Sequence, residues 1–191
     1  MVRIAIFASG SGSNAEEIIK YFSNKKDKEI SLVLSNKPDA FVLKRAKKFN
    51  VPSIVFNRKE LLDGHVLKTL REHKIDYIVL AGFMMLIPQN LVDAFPDRII
   101  NIHPALLPKY GGKGMYGDNV HKAVRENKEP ETGITVHVVN ERYDEGQIIF
   151  QERCRLLPND SVAEIAKKVH ALEHANYPKV IDKFIDDQSN G

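Results

Sequence analysis

Asn101 and His103 stand two residues apart in Arg98-Ile99-Ile100-Asn101-Ile102-His103-Pro104. Side chains alternate across a strand. Both polar groups therefore project to one side, Ile100 and Ile102 to the other, and Pro104 ends regular pairing. An amide can donate to a developing oxyanion. An imidazole can do the same, or move a proton near neutral pH. The bland reading is a hydrogen-bonded pair that merely finishes a strand. Asp144, within Asn140-Glu141-Arg142-Tyr143-Asp144-Glu145-Gly146, is the acid that could serve this imidazole. Facing His103, it would orient the ring and raise its pKa; alone in a loop, it would be solvated. His137 shares a strand face with Thr135 and Val139 and reads equally as a packed histidine or a ligand.

A second constellation is Ala8-Ser9-Gly10-Ser11-Gly12-Ser13-Asn14, between an apolar run and a helical pattern. Glycines allow a tight turn, and free N–H groups at a helix start favour an anion. Gly10, Gly12 and Ala15 fit the dinucleotide pattern, which also expects an acid at the end of the second strand. That strand ends Ser35-Asn36-Lys37, so a single phosphate suits the loop better than a whole NAD. The competing reading is an ordinary glycine turn that binds nothing. Glu173 borders the apolar stripe Val162, Ile165, Ala166, Val169 and Leu172, with His170 one turn earlier. A carboxylate there needs a partner, either a nearby lysine or arginine or a ligand hydroxyl or amine. His170 and His174 could share an ion. No third ligand stands near them in sequence and the chain lacks CxxC and HExxH, so no metal is expected.

The elements that must position these groups alternate. Ile4–Ala8, Ile30–Leu34, Ser53–Phe56, Tyr77–Leu80 and Ile99–Ile102 read as strands. Asn14–Phe22, Ala40–Phe49, one helix carrying Leu61, Leu62, Val66, Leu67 and Leu70, and Pro88–Phe95 read as helices. Such alternation implies right-handed βαβ units and a mostly parallel sheet. Ile134–Val139 and Ile148–Arg155 suggest an antiparallel extension. Ser161 and Glu164 have capping-box spacing at the start of a long helix, which Pro178 should kink or restart. The expected fold is an α/β single domain over residues 1–191. It is an open, mostly parallel, Rossmann-like sheet with helices on both faces and ligands beyond the strands' carboxyl ends.

Bulk properties agree. The chain has 191 residues, 43% hydrophobic and 28% charged, with one cysteine. That suits one domain with a substantial core. No run approaches the ~20 apolar residues of a membrane span, and the opening strand leaves no room for a signal peptide. The lone Cys154 precludes an internal disulfide, which favours the cytoplasm. A net charge of +3 is weak for nucleic-acid binding, although it would help attract an anionic small substrate.

Taken together, these motifs resemble the phosphoribosylglycinamide formyltransferase family, folate-dependent enzymes of purine biosynthesis. The resemblance runs through Ala8–Asn14, Ser35–Ala40, Ala81-Gly82-Phe83-Met84, Asn101–Tyr110, Glu131–Val139, Asp144 and Glu173-His174-Ala175. It implies transfer of a formyl group from 10-formyltetrahydrofolate, a co-substrate and not a resident cofactor, to the amine of glycinamide ribonucleotide. Gly12, Ser13 and Asn14 would hold the phosphate and Glu173 the ribose, with His170 also in the phosphate and ribose site. Asn101, His103 and Asp144 would form the catalytic set, with His103 protonated. The folate would lie against Met84, Met85, Leu86 and Ile87 and against Asn140, Glu141, Arg142, Tyr143 and Asp144, with Arg58 at its outer part. The resemblance also implies a mobile Lys109–Val120 loop, a cis Leu107–Pro108 bond, a monomer or homodimer, small-molecule substrates, and neither nucleic acid nor membrane as partner. Ala105, where many relatives have Ser, and Met85, where some have a basic residue, depart from the pattern. A formyltransferase acting on methionyl-tRNA or a formyltetrahydrofolate deformylase would need a further domain, so chain length speaks against both. A nucleotide-binding module without chemistry would not need Asn101, His103 and Asp144 together.

Overall fold

A computed structural model describes residues 1–189 as two compact units, Met1–Asn101 and Ile102–Gly191. The first unit is built from β1 (Val2–Phe7), α1 (Ser13–Phe22), β2 (Lys28–Ser35), α2 (Phe41–Lys48), β3 (Ser53–Val55), α3 (Arg58–Leu62), α4 (His65–Glu72), β4 (Tyr77–Leu80) and α5 (Gln89–Ala94). It also holds the first three residues of β5 (Ile99–His103). β1 pairs in parallel with both β2 and β4, β2 with β3, and β4 with β5. Ile4–Phe7 and Leu32–Leu34 are fully buried, as in strands covered on both faces. Strand order reverses at β1, which opens a crevice beyond the carboxyl ends of β1 and β4. The Gly10–Ser13 turn and the Ala81–Ile87 stretch leave from those two ends.

The leucine spacing of residues 61–70 predicts one helix, but the structure has two. Asp63 accepts a hydrogen bond from the His65 N–H at 3.1 Å, and Gly64 turns left-handed with φ 90°. Local side-chain-to-backbone bonding here outcompetes helix continuation. Asn57 and Glu60 form the reciprocal capping box that starts α3.

The second unit holds the end of β5, α6 (Asp118–Glu126), β6 (Glu131–Val138), β7 (Ile148–Arg155) and α7 (Val162–Ser189). β6 and β7 pair antiparallel, with an irregularity between Val136 and His137. Strand order is β3-β2-β1-β4-β5-β6-β7, an open mixed sheet of Rossmann-like topology. The Ser161–Glu164 capping box forms as its spacing predicts.

Two elements differ from the sequence reading. Residues 118–120, assigned there to a loop, open α6, because Val120 and Val124 bury one helical stripe against Ala105, Leu156 and Ile165. Pro178 neither ends nor restarts α7. A proline costs roughly 3 kcal/mol inside a helix. Tyr177, Ile181 and Ile185 around it are fully buried, at roughly 1.5–3 kcal/mol per large apolar side chain, so packing outweighs the lost bond. The final two residues of the expected 1–191 domain lie outside the described residues. Among those described, no helix is long and apolar enough to cross a membrane.

Candidate active site

In the first unit, α2 fastens the glycine turn. The Val42 N–H donates to the Gly10 carbonyl at 3.2 Å, and Arg45 Nε donates to the Ser11 carbonyl at 2.9 Å. Arg45 also pairs with the buried carboxylate of Glu16. Gly12 caps α1 at φ 71°, and a Cβ there would stand 2.5 Å from the Val42 side chain. Only glycine satisfies both the angle and the contact. With the turn's carbonyls drawn toward α2, the N–H groups at the start of α1 are the donors an anion would meet. Ser13 and Asn14 are half-buried there.

Ser9 ties that turn to two other loops. Its hydroxyl donates to Asn36 Oδ1 at 2.6 Å and accepts from the Met84 N–H at 3.0 Å. Below lie the packed rings of Phe7, Phe56 and Phe83. Met84 and Leu86 are 48% and 40% exposed, Met85 is half-buried and Ile87 is buried. This apolar ledge suits a flat ring. Arg58 is exposed at the start of α3, and Asn101 is half-buried on β5, opposite Leu80.

The second unit carries the titratable cluster. Asp144 lies between two buried imidazoles, with Oδ2 3.5 Å from His103 Nδ1 and Oδ1 3.5 Å from His137 Nε2. The Gly112 N–H donates to Oδ2 at 2.9 Å. Asp144 is therefore a clamped, mostly covered group and not a solvated loop acid. Its left-handed φ of 57°, tolerated by Asp more than by most residues, aims it inward. Gly146 makes the turn possible, since a Cβ there would collide with the Val138 carbonyl oxygen at 1.7 Å.

Carbonyl groups fix both ring tautomers, because a carbonyl can only accept. His103 Nε2 meets the Tyr110 carbonyl at 2.7 Å, and His137 Nδ1 meets the Val138 carbonyl at 3.0 Å. Those nitrogens carry the hydrogens in the neutral rings, so each ring turns its other nitrogen toward Asp144. Burial pushes the His103 pKa down more than Asp144 and the Tyr110 carbonyl raise it. The expected rise is thus reversed, and His103 is neutral at neutral pH. Burial pushes Asp144 up, but the imidazoles of His137 and His103 beside it and the Gly112 N–H together hold it below the ordinary carboxylate value.

Two further residues emerge only from the fold. Thr135 Oγ1 donates to the Ala105 carbonyl at 2.7 Å and accepts from the Leu107 N–H at 3.0 Å. Gln151 Nε2 reaches the Leu107 carbonyl and Thr135 Oγ1, each at 2.9 Å. Together they pin the chain that follows His103, including the cis Leu107–Pro108 bond. Thr135 was readable as a face-mate of His137, but nothing in sequence links Gln151 to this segment.

On α7, Glu173 is buried, and His170 Nδ1 lies 3.0 Å from its Oε2. That bond raises the His170 pKa against the opposing effect of burial. In the 140–144 turn, Asn140 accepts from the Arg142 N–H at 3.0 Å, Arg142 pairs with Glu145, and Glu141 and Tyr143 are exposed. Among the described residues no three His, Cys, Asp or Glu side chains gather as a metal site. A groove of ≈ 590 Å³ in the first unit, lined by Met1, Lys28, Ser31, Asn50 and Pro52 among others, contains none of these candidate residues.

Comparison with known proteins places the chain. The family model described as "Formyl transferase" matches residues 2–181. The chain is 40% identical to the chloroplastic phosphoribosylglycinamide formyltransferase of Arabidopsis thaliana, over 97% of this chain and 66% of that one. It thus spans just under two thirds of that relative's length. It is 36% identical to the phosphoribosylglycinamide formyltransferase of Bacillus subtilis, over 100% of this chain and 98% of that one. The crystal structure of phosphoribosylglycinamide formyltransferase from Anaplasma phagocytophilum is similar at TM-score 0.87 and 36% identity, covering 94% of this chain and 84% of that one.

Proposed function

The chain belongs to the formyl transferase family, and from that premise we propose that it moves the formyl group of 10-formyltetrahydrofolate onto the glycyl amine of N1-(5-phosphoribosyl)glycinamide, a step of purine biosynthesis. The observation that carries this reading is Asp144 held between His103 and His137, with His103 two residues after Asn101 on β5. Residues 1–191 act as one formyltransferase domain. The family match supports this by running through both units. The single half-buried cysteine fits a reducing compartment such as the cytoplasm.

The amine attacks the formyl carbon and a tetrahedral oxyanion forms. The Asn101 amide and His103 Nε2–H donate to that oxygen. His103 does this as a neutral imidazole, so its lowered pKa does not impair the role. To reach the oxygen, Nε2–H must exchange the Tyr110 carbonyl for the substrate. Asp144, beside His103 Nδ1, receives, directly or through water, the proton the amine sheds; that proton is returned to folate N10 as the tetrahedral species collapses. Gly12, Ser13 and Asn14 bind the phosphate through α1's first N–H groups. Glu173 accepts hydrogen bonds from the ribose. Met84, Met85, Leu86 and Ile87, Arg58 and the 140–144 turn receive the folate.

The test is a transfer assay with purified protein, the ribonucleotide and a 10-formyl folate. Formylated ribonucleotide forming in step with folate release is the expected result. Release of formate without the ribonucleotide, or no reaction, would overturn the reading.

A further inference from the structure

The glycine turn of the first unit carries three successive carbonyls, and each is taken. The Val42 N–H donates to the Gly10 oxygen at 3.2 Å, Arg45 Nε to the Ser11 oxygen at 2.9 Å, and the Glu16 N–H to the Gly12 oxygen at 2.9 Å. The peptides of the turn are trans, so the carbonyl of one residue and the N–H of the next point in opposite directions. Holding the Gly10, Ser11 and Gly12 oxygens therefore fixes where the Ser11, Gly12 and Ser13 N–H groups aim. Two of these oxygens are held by main chain, which an ordinary side-chain substitution leaves in place. The Ser11 oxygen alone is held by a side chain. Ser11 is exposed and stands between two glycines, whose wide φ/ψ range lets an unheld peptide rotate.

Arg45 is itself well fixed. Its Nη1 pairs with the buried carboxylate of Glu16, in the first turn of α1. The Phe41 ring, one turn earlier on α2, has its centroid 5.0 Å from Arg45 Cζ, within cation–π range. Lys20 and Lys48 also reach Glu16, at 3.3 and 3.5 Å, so the carboxylate keeps two cations without Arg45. A planar guanidinium donates through Nε and Nη1 at once in fixed geometry, which a single ammonium cannot copy. Replacing Arg45 thus frees the Ser11–Gly12 peptide while Glu16 stays paired.

We propose that Arg45 is a positioning residue for phosphate recognition, holding the Ser11–Gly12 peptide so that the Gly12 N–H faces the phosphate of the ribonucleotide. This rests on the phosphate role given to the turn above. Arg45 acts through that peptide and not by touching the ligand. A donor already aimed lowers the ordering cost of binding. The phosphate lies at the far end of the ribonucleotide from the reacting amine, so the loss of Arg45 shows in ribonucleotide affinity and KM rather than in kcat.

The test is calorimetric titration of the ribonucleotide, of its 5′-dephosphorylated riboside and of the folate into wild type, Arg45→Met and Arg45→Lys. Wild type should bind the ribonucleotide more tightly than the riboside. Arg45→Met should weaken the ribonucleotide about tenfold, the value of one hydrogen bond to a charged group, and leave the other two ligands within about twofold. Arg45→Lys keeps the charge but not the fork and should lose nearly as much. Full affinity in Arg45→Lys would make the effect one of charge alone and overturn the proposal. Equal weakening of ribonucleotide and riboside, or a lowered Tm with unchanged affinities, would overturn it as well. The transfer assay is run alongside. Ribonucleotide binding without formyl transfer would refute the proposed function, while the affinities still decide the role of Arg45. A wild type that transfers formyl but binds ribonucleotide and riboside alike would refute this proposal and leave the function standing; one that binds no ribonucleotide would refute both. If Arg45→Met does not fold, Glu16→Gln replaces it. Losing the charge that holds Nη1 should weaken the ribonucleotide about threefold, and an unchanged affinity overturns the proposal.

Discussion

The glycine turn of the first unit and the histidine cluster of the second solve different problems with different parts of the chain. The turn is built from backbone: Gly12 at φ 71°, carbonyls drawn to Val42 and Arg45, and N–H groups left at the start of α1. None of its donors titrates near neutral pH. The cluster is built from side chains: two buried imidazoles and a carboxylate, with proton positions set by the Tyr110 and Val138 carbonyls. A backbone anion site should therefore be indifferent to pH and intolerant of shape change. A side-chain proton site should tolerate isosteric change in its fold and still lose its chemistry. Substitutions in each region can break or sharpen that contrast.

The largest expected effect is at His103. His103→Ala removes one of two oxyanion donors and should lower turnover by ~10²–10³, with ribonucleotide affinity within about twofold of wild type. Separate titration and turnover measurements check this. Retention of half the wild-type turnover would remove His103 from the chemistry.

In the first unit the counterpart is Gly12→Ala. The new Cβ would meet Val42 at 2.5 Å at a left-handed φ, so strain and displacement should cost roughly 1–3 kcal/mol of stability. Ribonucleotide affinity should fall more than folate affinity. Asn14→Ala should show the same preference without the stability loss. Calorimetric titration with each ligand separates the cases, and equal weakening of both ligands would make the turn structural.

Asp144→Asn isolates the proton chemistry. Asp144 is the largest influence raising the His103 pKa, so its neutralisation should send an already lowered value lower still. Turnover should drop strongly while the fold persists. For a histidine lowered in the folded state, the unfolded chain binds the proton first as pH falls. Stability should therefore decline on acidification from about the ordinary histidine value, 6.5, downward. The variant should extend that decline to lower pH, because its His103 resists protonation further. Proton NMR of the His103 ring and urea midpoints at several pH values test both statements. An unmoved His103 pKa with wild-type turnover would exclude Asp144 from the mechanism.

Much of this was legible before the fold was known, for a reason that separates the regions again. The glycine turn is contiguous, so strand, turn and helix signals appear together around Gly10–Asn14. Asn101 and His103 are likewise one strand face. The family resemblance stated from these motifs is what the comparisons show. His137 and Gln151 were harder, since their roles depend on the β6–β7 register and on a turn that brings Asp144 back to His137. The sign of the His103 shift was missed because charge partners can be guessed from sequence, whereas desolvation depends on how fully the ring is buried. Helix α6 was missed because the glycines before Asp118 masked a short stripe whose partners, Leu156 and Ile165, lie far along the chain.

The smallest effect tests the link between the cluster and its covering turn. Tyr110 supplies the carbonyl that holds His103 Nε2–H, and its own hydroxyl donates to Glu129 Oε1 at 2.8 Å. Lys109 reaches the same oxygen at 3.1 Å. Tyr110 itself sits at a left-handed φ of 59°, a conformation that costs about 1–3 kcal/mol for a non-glycine residue and needs support from its surroundings. Tyr110→Phe keeps the carbonyl and the ring but removes the hydroxyl anchor. One neutral-to-charged hydrogen bond on a half-covered side chain should cost about 1 kcal/mol of stability. With the anchor gone, the strained peptide releases Nε2–H more readily, so turnover should stay level or rise up to about threefold while stability falls. Measured Tm and turnover should thus move in opposite directions. A variant in which turnover falls along with Tm would mean that the Tyr110 carbonyl supports the working state of His103 and does not restrain it.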